Sequence, residues 1–469
     1  MTAQTILPAN TLSSGYDVDN SCMFDGTSNA MHRTPGSASN LTTWTWSAWV
    51  KRSDLTGTQM ALFGAKEDSN NDTGIWFQTD NTLQFFNNVG GTVKQIRTNR
   101  VFRDTSAWYH IVAVWDSSNG TAGNRMRLYV NGVEETSFGT DANPGDGDES
   151  TINDDVIHNL GRVDTTYFYE GYMAEVVLID GQALTPTSFG EFDSDSGIWK
   201  PIDVSGLTPG TNGFYLDFEL AGGNDAANRL GKDVYSGNVN FFTEVNFGTL
   251  NQKTDTCTNN FCTWAVNADN QDVAFASGGL KVSHGTNLAR RPVISTFGVS
   301  SGKWYWEWVG TSTTTGNHEV GIVNYASPTS QGRYFGQALT GDADFTTFIG
   351  DGSINVSGTN DATGVTYTTE VIGIAVDVDN QTIYFYKNNS LVKSGGTDYS
   401  GMNAGSGFVF MANADRSGTT AYVGTANFGQ PVTANSSDAS DENGHGRFEY
   451  APPSGFLAIC TKNISETNS

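Results

Sequence analysis

Basic residues are scarce in this 469-residue chain: 25 Lys and Arg stand against 50 Asp and Glu, a formal charge of −25. Non-specific attachment to nucleic acid or to an anionic membrane needs a basic surface, so this balance argues against both. Long apolar runs are missing too, and no stretch has the length to span a bilayer, so membrane insertion is not expected. The opening Met1-Thr2-Ala3-Gln4-Thr5-Ile6-Leu7-Pro8 has neither the basic flank nor the apolar run of a signal peptide, and synthesis in a cytoplasm is expected. Cysteine is limited to Cys22, Cys257, Cys262 and Cys460, without metal-ligand spacing, and cytosolic thiols stay reduced. The six histidines, His32, His110, His158, His284, His318 and His445, show neither a nucleophile partner nor metal spacing. Heptads, phosphate loops and dinucleotide fingerprints are absent from the sequence.

Glycine is plentiful at 54 residues, aromatics make up 12%, and the polar filler is mostly Ser, Thr, Asn and Asp. Such a composition suits short strands joined by many turns, with little helix. The alternation in Trp44-Thr45-Trp46-Ser47-Ala48-Trp49-Val50 puts Trp44, Trp46, Ala48 and Val50 on one face. Further strands are expected at Gly74 to Phe77, Leu83 to Phe86, Trp108 to Trp115, Met126 to Val130, Tyr172 to Ile179 and Gly213 to Phe218. Thr185-Pro186 suits the start of a single helical turn, with Pro at the first helical position.

From 221 to 261 the pattern weakens into Gly-, Asn- and Asp-rich sequence, read as an ordered connector. Strands resume at Gly279 to Val282 and continue at Lys303 to Val309, Glu319 to Val323, Val371 to Asp377, Ile383 to Tyr386, Phe408 to Ala412, Ala421 to Phe428 and Phe456 to Ile459. The polar run near 433–446 is expected to be an exposed loop. Two hairpins close on residues that accept a positive φ, Asn131-Gly132 and Asn388-Asn389. The expected architecture is all-β, with two tandem antiparallel β-sandwiches: a first over 1–220, the connector, and a second over 262–469.

Thr45 to Val50, Trp108-Tyr109-His110-Ile111-Val112, Leu128-Tyr129-Val130-Asn131-Gly132 and Gly171-Tyr172-Met173-Ala174-Glu175-Val176 together resemble concanavalin-like laminin-G and pentraxin-type jelly rolls. Gly302-Lys303-Trp304-Tyr305-Trp306-Glu307, Val320-Gly321-Ile322, Val371 to Asp377, Ile383 to Asn388 and Asn427-Phe428-Gly429 resemble a SPRY domain, with Asn389 where that family's hairpin usually carries Gly. Gly15 to Ser21, Ile179 to Pro186, Gly210 to Leu216 and Pro452-Pro453-Ser454-Gly455-Phe456 are similar to virion surface proteins of tailed bacteriophages, especially marine ones.

The resemblance implies a non-enzymatic virion structural protein made in the host cytoplasm, exposed on the particle and homo-oligomeric there, with other virion proteins as partners. Two roles stay open: a tail-fibre-like appendage recognising a host-surface glycan or protein, and a capsid or tail decoration protein that stabilises the particle. SPRY domains bind through loops at one end of the sandwich, which points to Tyr325, Arg333, Tyr334 and Tyr399, residue types that suit a glycan or peptide. Jelly-roll lectins often hold calcium with loop carboxylates, for which Asp141, Asp146, Asp148 and Glu149, with Asp154 and Asp155 beyond them, are the candidates; no other cofactor is implied. Glu191-Phe192-Asp193-Ser194-Asp195 is similar to the carboxylate pair of jelly-roll glycoside hydrolases. Its placement after a Thr-Pro turn predicts a loop rather than the cleft-facing strand that catalysis requires.

Overall fold

The computed structural model describes residues 15–55, 57–220, 229–235, 237, 239–266, 273–285, 293–311, 318–324, 345–402, 407–415 and 421–467. Two compact units meet in sequence between Asn260 and Phe261. Each is built on a pair of facing β-sheets, and the first adds a two-stranded sheet of Gly190–Phe192 and Trp199–Pro201.

In the first unit one sheet runs Val133–Glu134, Met126–Val130, Trp108–Asp116, Thr43–Arg52, Glu170–Asp180, Ser21–Asp25, Gln252–Lys253, with Phe214–Leu216 also paired to Glu170–Asp180. The facing sheet runs Phe138–Ala142, Thr92–Val101, Thr82–Val89, Asp72–Phe77, Met60–Lys66, Ile157–Leu160, Ala30–Arg33, Thr243–Val245. Neighbours in both sheets pair antiparallel. Trp44, Trp46, Ala48 and Val50 point into the core between the sheets, where Phe63, Ile75, Phe77 and Phe85 meet them. Each large apolar side chain buried there contributes about 1.5–3 kcal/mol against the entropy of ordering the chain. Pro186–Ser188 forms the expected single turn, with Thr185 at the N-cap position but without a side-chain capping bond.

The 221–261 stretch differs from the expected connector, because its described residues up to Asn260 are built into the first unit. Thr243–Val245 pairs with Ala30–Arg33, Gln252–Lys253 pairs with Ser21–Asp25, and Leu230 and Phe242 lie in the core. Strands of two or three residues carry too little alternation to be seen in sequence.

The second unit has one sheet in the order Val273–Ala276, Lys281–His284, Tyr422–Asn427, Lys303–Gly310, Val371–Asp377, Thr382–Lys387, Ser390–Leu391. The other runs Val293–Val299, Val409–Asp415, His318–Asn324, Phe345–Ile349, Ser353–Val356, Thr359–Ala362. Leu457–Ala458 joins Lys303–Gly310 in parallel, and a helix not foreseen in the sequence, Thr461–Thr467, follows. The run near 433–446 is largely exposed, but Asp441 within it is buried. Asp441 accepts from the backbone of Asn443, His445 and Ala458 and from Asn463 Nδ2, and so ties the loop down.

Both hairpins close as expected. Val130 pairs with Val133 across Asn131 (φ 49°) and Gly132 (φ 79°), and Lys387 pairs with Ser390 across Asn388 (φ 44°) and Asn389 (φ 64°). Two consecutive positive φ values give the turn whose twist matches the strands.

Candidate functional site

The first unit turns one sheet face away from its core, and that face carries an aromatic group beside a row of amides. Along Asp72–Phe77 the inward residues Ile75 and Phe77 join the core, while Trp76 belongs to a separate outer cluster with Ala61, Phe86 and Val163. Gly74 gives the indole its seat: a Cβ there would lie 2.2 Å from Trp76 Nε1 and 3.1 Å from Phe86 Cε1, so only glycine lets the ring lie flat across the strand. Phe86 meets the indole edge-on at 4.8 Å, and Tyr167 leans over it at 5.1 Å and 36°. The Trp76 N–H is buried without a hydrogen-bond partner.

Tyr167 is 43% exposed and is held in a left-handed backbone conformation, φ 55°, which costs energy in a non-glycine residue. Its segment is fixed at several points. Val163 and Thr166 bridge, the Ala61 amide donates to Tyr167 O at 2.9 Å, and Tyr169 Oη donates to Lys51 O at 2.8 Å.

Beside this pair, glutamine amides cross four neighbouring strand positions. Gln59 Nε2 donates to Gln78 Oε1 at 2.6 Å, Gln78 donates to Gln84, and Gln84 donates to Gln95. Gln84 stands directly opposite Trp76, and Gln95 opposite Phe86. A primary amide has two N–H groups and two acceptor positions, so each link of the row leaves hydrogen-bonding capacity over. Gln59, Gln84 and Gln95 are partly exposed and can offer it outward. At the end of the row Arg97 donates to Thr82 Oγ1 at 2.8 Å and pairs with Asp80. An apolar plate flanked by neutral donors and acceptors suits a ligand that is apolar on one face and hydroxylated at its rim.

The sequence-derived candidates fall elsewhere. Tyr325, Arg333 and Tyr334 lie outside the described residues. Tyr399 is a correction: Thr397–Asp398 pairs with Thr382–Lys387 and draws the next residue inward, leaving Tyr399 3% exposed in the second core with its hydroxyl directed at Asp377 O. Its ring is therefore not offered to a ligand.

Three of the four acidic candidates keep local partners. Asp141 accepts from Asn143 Nδ2 at 2.8 Å, Asp146 lies 3.9 Å from Arg125, Asp148 accepts from the Gly145 amide at 2.6 Å, and Glu149 is exposed. Among the described residues, no group of three or more acidic, His or Cys side chains is placed to hold a cation. In the Glu191 motif, Gly190–Phe192 is a strand paired with Trp199–Pro201, not the expected loop. Lys200 Nζ sits 3.4 Å from Glu191 and 3.1 Å from Asp193, and the Ser196 amide together with Lys200 holds the Asp193 carboxyl well below the usual carboxylate range.

A serine partner for His110, absent from the sequence pattern, is present in the fold. Ser47 Oγ lies 2.8 Å from His110 Nε2, and Trp199 Nε1 donates to Nδ1 at 3.0 Å. Because Nδ1 accepts, Nε2 carries the proton and donates to Ser47, the reverse of what activates a serine. Burial pushes this imidazole down to about 3, so it stays neutral as a packing element between Trp49 and Trp199. In the second unit Glu307 accepts from the amides of Glu449 and Tyr450 and from Asn427 Nδ2, which makes it an anchor for the C-terminal segment.

Sequence reasoning missed Trp76, Tyr167 and the glutamines. The available signal was alternation: Ile75 and Phe77 facing inward put Trp76 outward, next to Gln84 and Phe86 on the following strand.

Comparison with known proteins places two domains in the chain. Residues 24–188 match the concanavalin A-like lectin/glucanases superfamily, and residues 303–424 match the SPRY domain. Among solved structures, the native heptameric SAP-like pentraxin of Limulus polyphemus is 21% identical over 36% of this chain and 80% of its own, with a TM-score of 0.28. The SPRY domain of human HERC1 is 15% identical over 33% of this chain and 92% of its own, with a TM-score of 0.27. Domain 4 of AbnA, a GH43 extracellular arabinanase from Geobacillus stearothermophilus solved with arabinotriose, is 22% identical over 35% of this chain and 72% of its own, with a TM-score of 0.28. No curated protein matches significantly. The candidate face lies within the concanavalin-like match, since Gln59 through Tyr167 fall inside 24–188.

Proposed function

We propose that this is a non-catalytic recognition protein whose concanavalin-like sandwich binds a carbohydrate on the outer face built around Tyr167 and Trp76. The observation that carries the reading is the exposed Tyr167 ring, held at φ 55° over the Trp76 indole beside the glutamine row. Aromatic faces stack on the C–H faces of sugar rings while amides pair with their hydroxyls. The carboxylates of the Glu191 motif are held by Lys200 and His110 is packed neutral, which supports binding over catalysis. The setting we propose, on the resemblance of the flanking motifs, is the surface of a tailed-bacteriophage particle, where such a face would meet host glycans.

The test is a glycan array probed with the labelled full-length chain and its Tyr167→Ala variant, followed by competition with phage adsorption on host cells. The reading expects saturable glycan binding that the variant loses and host-cell binding that competes with adsorption. Tight association with capsids and no glycan binding would favour decoration of the particle and overturn it.

A further inference from the structure

Resting on that reading, we infer that the ligand of this face is an uncharged, hydroxyl-rich saccharide chain that runs across the strands, with one ring on Tyr167 and its neighbours along the glutamine row. The polar groups that can be offered are amides, each both donor and acceptor, which match hydroxyls, themselves both donor and acceptor. An anionic sugar would need an uncommitted cation, and the cations beside the aromatic pair already have partners. Arg97 pairs with Asp80, Lys66 lies 3.6 Å from Asp164, and Arg162 donates to Asn159 Oδ1 with its guanidinium 6.0 Å from the Phe168 ring. The chain's charge of −25 opposes an anion at longer range.

The direction of the chain follows from register. Gln59, Gln78, Gln84 and Gln95 sit at or beside successive strands of one sheet, and strands spaced about 4.8 Å apart make the row about 14 Å long. That is long enough to contact more than one ring. Gln84 stands opposite the indole and Gln95 one strand farther on, so a chain stacked on Tyr167 continues onto Gln84 and Gln95.

The experiment is titration calorimetry of the full-length chain against neutral oligosaccharides and against uronate- or sialate-bearing ones, each at low and high salt. Binding to neutral chains with less than about a twofold change between salts is expected, since no counterions are released. Gln95→Leu, at a partly exposed position, should weaken binding about tenfold through lost hydrogen bonds while the melting temperature stays that of the parent. Affinity for anionic chains alone, falling steeply with salt, would overturn this inference and leave the carbohydrate reading standing. Binding to neither class would overturn both.

Discussion

Tyr215 donates its hydroxyl to Glu175 Oε2 across 2.7 Å, and Tyr16 reaches the same oxygen at 3.2 Å. Glu175 occupies the irregularity between Ala174 and Val177, where the pairing with Thr43–Arg52 slips, and its φ of 50° is the left-handed value that such a bulge imposes. The bulge swings a carboxyl into a nearly closed site, and burial pushes it up to about 8, with Asp217 and Asp203 raising it further and the two phenols opposing.

This group has a signed effect on stability. The unfolded chain releases the proton near 4.5 and the folded chain keeps it to about 8, so its contribution is full below 4.5 and is lost as pH rises through 8. Glu175→Gln cannot ionise. Urea unfolding at about pH 5 and about pH 8.5 should show the parent losing ground to the variant at the higher pH. A difference between the two proteins that does not change with pH contradicts this assignment.

His110 has the opposite sign. Its folded value of about 3 lies below the ordinary 6.5, so its contribution is full above 6.5 and is lost as pH falls toward 3. His110→Gln removes the fitted partners of Ser47 and Trp199 and should cost about 1–3 kcal/mol near neutral pH. That cost should shrink measurably by about pH 4.5 in the same unfolding assay, because only the parent carries the histidine's proton-linked penalty.

The two hairpins should respond differently to substitution. A Cβ on Gly132 would lie 2.3 Å from the Trp199 ring, and φ there is 79°, so Gly132→Ala should cost about 2–4 kcal/mol from crowding and strain together. Asn389 has φ 64° and is exposed, so Asn389→Gly should move stability by less than about 1 kcal/mol. Melting or denaturant midpoints of the two variants check the contrast.

The frame was readable because its signals are local. Trp44, Trp46, Ala48 and Val50 alternate within seven residues and all reach the core, and the Asn131-Gly132 and Asn388-Asn389 turns declare themselves by residue type. The candidate face depends on register between strands, which local patterns do not carry. Gln84 meets Trp76, and Gln95 meets Phe86, only because of how Asp72–Phe77, Thr82–Val89 and Thr92–Val101 align. Tyr399 misled for a related reason: a two-residue strand, Thr397–Asp398, turns what reads as a loop tyrosine inward. His110 found Ser47 and Trp199 through pairings distant in sequence, which no spacing rule detects.

The central claim is tested most directly by a crystal structure of the full-length chain soaked with the neutral oligosaccharide that binds it most tightly. The expected result is a sugar ring stacked on Tyr167, its hydroxyls bonded to Gln84 and Gln95 and the following ring over the glutamine row. A bare Tyr167 face with the oligosaccharide seated in the second unit contradicts it.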